Sequence, residues 1–148
     1  MGVEPHKAQQ SVFMAAATTS QEVGPADIKQ IMYPDQILDL NNEYNPGTST
    51  FEPKQDGVYF IIARLAYVPD VGTKYSVKMF IIINDENVAA TDNDFIGAPL
   101  TNNNHVSVST ITQLSKGDRV QIFAQAITDG NTDPDPSLTH FEAIRFPL

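Results

Sequence analysis

The segment VYFIIARLAYV, residues 58–68, is a long apolar run that ends at Pro69. Side chains of a β-strand alternate between two faces. One face of this strand would carry Tyr59, Ile61, Ala63, Leu65 and Tyr67, and the other Val58, Phe60, Ile62, Arg64, Ala66 and Val68. Both faces are apolar, which is the pattern of a strand that is covered on both sides.

A strand with two apolar faces has a consequence for assembly. A two-layer sandwich covers only the inner face of each sheet, so the outer face of residues 58–68 needs a further cover. Another subunit would supply it, and we therefore expect an oligomer; a loop or extra strand of the same chain is the alternative. Arg64 lies on this outer face, and a buried guanidinium must be paired. We expect Arg64 to face a carboxylate or carbonyls in the subunit interface; the alternative is an edge position that reaches water.

Shorter strand patterns continue along the rest of the chain. Apolar or alternating runs occupy residues 75–83, 105–111, 119–127 and 138–146, with turn residues between them. Many short strands without a convincing helix predict an all-β sandwich or barrel. Three further segments are rich in turn residues or polar residues and are predicted as loops: residues 69–74, 92–104 and 129–137.

Length and composition narrow the class of protein. The 148 residues predict one domain, residues 11–148, after a polar and flexible segment, residues 1–10. The chain has no cysteine, which excludes disulfides, thiolate zinc sites and cysteine nucleophiles. Its net charge of −9 repels phosphate backbones, so nucleic acid is not expected as a partner, whereas cations such as calcium are attracted. No run approaches the roughly 18 apolar residues that span a membrane, and residues 1–10 lack the apolar core of a signal peptide.

Six residues between positions 33 and 59 resemble the signature of the C1q domain family in type and in spacing. They are Tyr33, Asp39, Tyr44, Phe51, Gly57 and Tyr59. The signature normally continues with two aromatic residues at alternate positions, where this chain has Ile61 and Ala63. Residues 13–15, 114–120 and 138–146 are similar to further segments of the family, so the resemblance covers residues 11–148.

The resemblance implies a jelly-roll β-sandwich of about ten antiparallel strands, of the C1q and tumour necrosis factor superfamily, assembled as a homotrimer. It implies a non-enzymatic recognition head, outside the cell or on a cell or particle surface, whose protein or carbohydrate ligand is unspecified. The alternative is a structural trimeric cap of a surface fibre, spore or particle appendage. A cytokine-like trimer is a third interpretation, but the matching spacing belongs to the C1q branch. The 148 residues contain no Gly-X-Y repeat of the collagen type, so this sequence does not show which stem, if any, presents the head.

The signature residues have predictable structural roles. Gly57 is expected where the backbone needs a positive φ or where another group approaches closely. Phe51 and Tyr59 are expected to fill the space between the sheets. Asp118, directly after Gly117, is expected to close a turn with its carboxylate.

Two acidic segments are candidates for metal binding. Asp92 and Asp94 lie in the segment TDND, and calcium prefers such carboxylate oxygens. The resemblance implies a calcium site near this position, because relatives carry acidic ligands close to the trimer axis; a solvated turn is the alternative. Residues 129–135, DGNTDPD, depart from the EF-hand pattern, and a solvated loop is the expectation there.

Nothing in the sequence supports catalysis. The three histidines, His6, His105 and His140, have no metal-ligand spacing, and His140 with Glu142 is expected to be a surface pair. The chain has no Gly-x-Ser-x-Gly motif and no phosphate-binding glycine loop. The carboxylate pairs that hydrolyse glycosides come together only in the folded protein, so the sequence neither predicts nor excludes them. We therefore predict that the protein is not an enzyme.

Overall fold

The computed structural model describes residues 10–70, 74–96 and 104–147, and these residues form two antiparallel sheets. The strands within those residues are β1 (Val12–Ala16), β2 (Glu22–Val23), β3 (Lys29–Gln30), β4 (Asp35–Asp39), β5 (Tyr44–Asn45), β6 (Thr50–Phe51), β7 (Gly57–Pro69), β8 (Lys74–Ile83), β9 (Glu86–Ile96), β10 (Asn104–Leu114), β11 (Val120–Ala126), β12 (Gly130–Thr132) and β13 (His140–Arg145). No helix occurs in this part of the chain. The predicted all-β jelly roll is confirmed, with several extra strands of only two or three residues.

The long apolar strand β7 organises the first sheet. That sheet has the order β2-β12-β7-β13-β1-β4, with β10 paired to β7 along residues 57–67. The second sheet has the order β5-β6-β11-β8-β9, with β3 paired to β11. The inner face of β7 is buried in the space between the sheets, as the alternating pattern predicts.

An aromatic cluster centred on Phe13 joins the two sheets. The Phe13 ring stacks on Tyr44 and Phe51, with centroids 4.6 and 4.8 Å away, and meets the edge of Phe141 at 4.8 Å. Phe51 also contacts Tyr59, with centroids 5.8 Å apart. These rings come from strands of both sheets and are buried. The predicted roles of Phe51 and Tyr59 are therefore confirmed.

The other signature residues fix the backbone around this cluster. The Asp39 carboxylate accepts hydrogen bonds from the backbone N–H groups of Glu43 at 3.0 Å and Tyr44 at 2.9 Å. The Tyr44 hydroxyl donates to the Tyr33 carbonyl at 2.7 Å, and the Tyr33 hydroxyl donates to the Arg64 carbonyl at 3.3 Å. The spacing of the signature thus places side chains that hold the start of the domain to β7.

Gly57 and Gly117 occupy positions with different backbone requirements. A Cβ atom at Gly57 would lie 2.5 Å from Nε of Arg145, so a larger residue would have to displace the Arg145 side chain, which donates to the Asp56 carbonyl; the φ of Gly57 is not positive. Gly117 does have a positive φ of 88°. Asp118 closes the adjoining turn, because its Oδ2 accepts from the Ser115 N–H at 2.7 Å.

The predicted loops need correction. Residues 92–96 belong to β9 and pair with β8, and Asn104 begins β10. Residues 130–132 form β12, which pairs with both β2 and β7. The apolar pattern misses β9 because it is an edge strand that carries polar side chains. It misses β12 because backbone pairing on both sides holds this short strand although its buried residue Thr132 is polar. Residues 71–73 and 97–103 of the predicted loops, and residues 1–9 of the predicted flexible segment, lie outside the described residues.

The buried tyrosines predict loss of stability in alkali. Burial raises the pKa of Tyr44 to about 12 and that of Tyr33 well above its usual 10. Above pH 10 the unfolded chain releases these phenolic protons and the folded chain retains them, so the free energy of unfolding falls as pH rises towards about 12. We expect denaturant melts followed by circular dichroism to show this fall. A constant midpoint across this range, or tyrosinate absorbance that develops fully in the folded protein, would contradict it.

Candidate functional site

An exposed apolar surface covers the outer side of the first sheet. Register places Ile111, Phe60 and Ile144 side by side on β10, β7 and β13. In the next row the Phe146 N–H donates to the Val58 carbonyl at 2.9 Å, which brings their side chains together. Ile111 is 62% exposed, and Ile144, Phe146 and Val58 are 40%, 42% and 36% exposed. We call these five residues, together with Ile62, the outer apolar face.

A polar row borders the outer apolar face. Arg64 lies opposite Ser107 of β10 and His140 of β13, and its side chain is exposed. His140 contacts the Glu142 carboxylate through Nδ1, with both side chains partly exposed, which confirms the predicted surface pair. Among the described residues Arg64 has no ion-pair partner within its own chain, so its pairing across a subunit contact stays a prediction.

The candidate metal ligands lie on one edge strand. Asp92 is opposite Lys78 and Asp94 is opposite Ser76 in the pairing of β9 with β8. The Asp92 Oδ1 atom is 3.8 Å from Nζ of Lys78, so a cation already faces this carboxylate. Within the described ranges no group of three or more histidine, cysteine, aspartate or glutamate side chains could hold a metal. A calcium ion bound by Asp92 and Asp94 would need further oxygen ligands and stays a prediction.

The second acidic segment is used for turns. The Asp133 Oδ1 atom accepts from the Asp135 N–H at 2.9 Å, and the Asp135 Oδ1 atom accepts from the Ser137 hydroxyl at 2.7 Å. The hydroxyl and the backbone N–H of Ser137 both donate to the Asp135 carboxylate, and these two hydrogen bonds lower the pKa of Asp135. The carboxylates of Asp133 and Asp135 therefore stabilise local turns, whereas residues 130–132 of the same segment form the buried strand β12 and not the expected solvated loop.

A polar cleft at one end of the sandwich is not visible in the sequence. It has a volume of about 740 Å³ and is lined by side chains that include Glu22, Lys29, Asp70 and Asp129. The cleft is formed by three segments that are far apart in the chain. No local motif marks it, because only the pairing of β12 with β2 and β7 brings these segments together.

Fold and surface together define a class of protein. A jelly roll with a closed core and an exposed apolar face on one sheet is typical of a binding module that associates with a partner. The C1q domain family model matches residues 12–139. The chain therefore belongs to the C1q domain family, as the spacing of Tyr33, Asp39 and Tyr44 predicts. No curated protein matches the sequence.

Solved structures of this superfamily share the fold at low sequence identity. The globular domain of zebrafish complement 1qA protein is 14% identical with a TM-score of 0.62, and the match covers 95% of this chain and 100% of that one. Murine APRIL is 11% identical with a TM-score of 0.71, covering 93% and 100%. Eiger TNF from S. frugiperda is 12% identical with a TM-score of 0.69, covering 94% of each chain.

The family has general properties that bear on this chain. C1q and tumour necrosis factor domains are generally non-enzymatic ligand-binding modules, and the proteins that contain them are typically extracellular or surface-bound. The part of the chain that the structure describes has no helix long and apolar enough to cross a membrane.

Proposed function

We propose that this chain assembles as a homotrimer through its outer apolar face and acts as a non-enzymatic recognition head, outside the cell or on a cell or particle surface. The observation that supports it best is the row of Ile111, Phe60 and Ile144, which is left open on a single chain. Contiguous apolar surface of this kind is stabilised when a second protein surface excludes water from it.

The polar row supports self-association in one register. Each subunit brings Arg64, His140 and Glu142 to the edge of the outer apolar face. A guanidinium that loses water in an interface must be matched with an acceptor, which penalises other alignments of the two surfaces. We propose that Arg64 meets a carboxylate or carbonyl of the neighbouring subunit.

A trimer would strengthen the binding of a small domain to a ligand with repeated sites. Three identical subunits present three identical copies of every outward surface, so a weak single contact becomes strong binding to a ligand with repeated sites. A structural cap of a fibre would form the same trimer but would bind no soluble ligand, and ligand binding separates the two functions.

Molar mass in solution tests the assembly. Three chains of 16.3 kDa predict about 49 kDa by light scattering, because covering three outer apolar faces favours the closed trimer. Measurement over a range of protein concentrations would show whether the trimer dissociates. A stable species of one chain at every concentration would refute the proposal.

The same measurement tests calcium. We propose Asp92 and Asp94 as its first ligands, and the test is light scattering with calcium and then with a chelator. Chelation is expected to lower the thermal stability or the molar mass of the protein. The reason is that a calcium ion bound by the aspartates of β9 would stabilise the folded and assembled form. Identical stability and mass in both conditions would remove calcium from the proposal.

A further inference from the structure

The outer side of the second sheet carries an aromatic row with a polar border. Phe80 of β8 and Phe123 of β11 are directly opposite each other, and both side chains are partly exposed. Ala90 continues the row on β9, and Gln30 continues it on β3. Neighbouring strands are about 4.8 Å apart, so the row is a nearly flat strip across four strands.

Three glutamines surround the two rings. Gln121 and Gln125 lie two residues on either side of Phe123 on β11, and Gln30 lies opposite Phe123. Their amide nitrogens donate within the chain: Gln30 to the Thr48 carbonyl at 2.8 Å, Gln121 to the Thr50 hydroxyl at 3.1 Å, and Gln125 to the Pro25 carbonyl at 3.4 Å. These bonds hold the amides in place and leave their carbonyl oxygens as acceptors for an outside donor. We call Phe80, Phe123 and the three glutamines the glutamine–phenylalanine face.

A small pocket adjoins this face. It has a volume of about 190 Å³ and is lined by Pro25, Ser76, Lys78, Gln125, Ala126 and Ile127. Ile127 is 49% exposed and supplies an apolar wall. The pocket therefore combines an apolar wall with hydrogen-bonding groups beside the aromatic row, further along β8 and β11.

Charge on this face argues for a neutral ligand. The chain as a whole carries −9. Beside the glutamine–phenylalanine face, however, Lys78 and Asp92 lie 3.8 Å apart and partly offset each other. The five side chains of the face itself carry no charge, so a ligand on it meets aromatic rings and amide oxygens, which disfavours a strongly basic or acidic partner.

We propose that the glutamine–phenylalanine face binds a neutral polysaccharide. The C–H faces of hexose rings pack on Phe80 and Phe123, the sugar hydroxyls donate to the glutamine carbonyls, and one hexose enters the pocket beside Ile127. The donors of a sugar chain match the acceptors of this face, and its flat shape matches the strip. This inference rests on the proposed recognition function and extends it by naming the class of ligand.

Native gel electrophoresis in gels that contain neutral polysaccharides tests this inference. The probes are a β-glucan, xyloglucan, galactomannan, dextran and glycol chitin, with alginate as the anionic comparison. We expect at least one neutral polysaccharide, and not alginate, to retard the wild-type protein. The double variant Phe80→Thr with Phe123→Thr should need about tenfold more polysaccharide for the same retardation, because two ring contacts are lost.

A second binding variant and a control variant complete the test. The double variant Gln121→Ala with Gln125→Ala changes only partly exposed polar side chains, and it should weaken retardation about fivefold even if the phenylalanine variant fails to fold. The control Leu40→Thr changes an exposed apolar residue of the other sheet, 47% exposed, whose N–H donates to the Val12 carbonyl beside the row of Ile144. Light scattering must show that this variant keeps the assembly of the wild type, and it should then bind as the wild type does. Retardation by no neutral polysaccharide, by alginate alone, or to the same extent in wild type and variants would overturn the inference, as would capture of a protein ligand by this face.

The two proposals can fail separately. A trimer that binds no neutral polysaccharide would overturn this inference and leave the assembly in place. A single chain that is retarded through Phe80 and Phe123 would overturn the trimer and leave the polysaccharide site in place. Light scattering on the same samples distinguishes the two results.

Discussion

Replacing Phe13 with alanine should remove a large part of the stability of the domain. Phe13 is fully buried, and its ring contacts Tyr44, Phe51 and Phe141 within 4.8 Å. Truncation of a buried phenylalanine costs about 3–5 kcal/mol through lost transfer energy and the cavity left behind. Small domains have only about 5–15 kcal/mol in total. Denaturant melts of Phe13→Ala should therefore show a midpoint far below that of the wild type.

The conservative variant Phe13→Leu is the matched control. It keeps most of the apolar volume and should lose only about 1–2 kcal/mol. The loss in Phe13→Leu measures the ring contacts, and the further loss in Phe13→Ala measures the missing apolar volume, because strand pairing of β1 with β13 and β4 is the same in both variants. A loss in Phe13→Ala of about 1 kcal/mol or less would show that the aromatic cluster is not the centre of the core.

Replacing Ile111 with lysine should convert the trimer to single chains without unfolding them. Ile111 is 62% exposed on one chain, so the substitution costs the isolated fold about 0.5 kcal/mol or less. Within the proposed interface the lysine would be an unpaired charge beside Phe60 and Ile144, and such a charge costs about 3–5 kcal/mol. Light scattering should therefore give one chain of 16.3 kDa, with an unchanged circular dichroism spectrum.

Ile28→Lys is the matched control for this experiment. Ile28 is 50% exposed and lines the polar cleft at the end of the sandwich, away from the outer apolar face. The chemical change is the same, so loss of assembly in Ile111→Lys alone would locate the interface. A trimer that persists in Ile111→Lys, or one that is lost equally in both variants, would contradict the proposed interface.

The variant Ile111→Lys also tests whether the trimer strengthens ligand binding. The glutamine–phenylalanine face and the outer apolar face belong to different sheets, so one surface can bind ligand when the other is covered. If both proposals hold, Ile111→Lys should retain binding to a short oligosaccharide and lose much of its retardation by a long polysaccharide, since only the trimer has repeated sites.

Part of the fold follows directly from local patterns. The apolar run at residues 58–68 and the alternation at residues 105–111 predict two strands correctly, and both are long enough to bury one face. The spacing from Tyr33 to Tyr59 predicts the family, and Phe51 and Tyr59 are buried between the sheets as expected. The same reasoning fails for residues 92–96 and 130–132, whose polar side chains hide strands that backbone pairing holds in place.

The sequence by itself thus predicted an all-β fold and the apolar outer side of β7, because successive side chains of a strand lie on opposite faces. The jelly-roll class was implied by the resemblance to the C1q domain family. Tertiary structure alone decided which distant residues meet: Ile111 beside Phe60 and Ile144, and Phe80 beside Phe123 and Gln30. Those neighbours depend on the register of strands that are far apart in the sequence. Register is set by long-range backbone hydrogen bonds and by the packing of both sheets, which no local pattern contains.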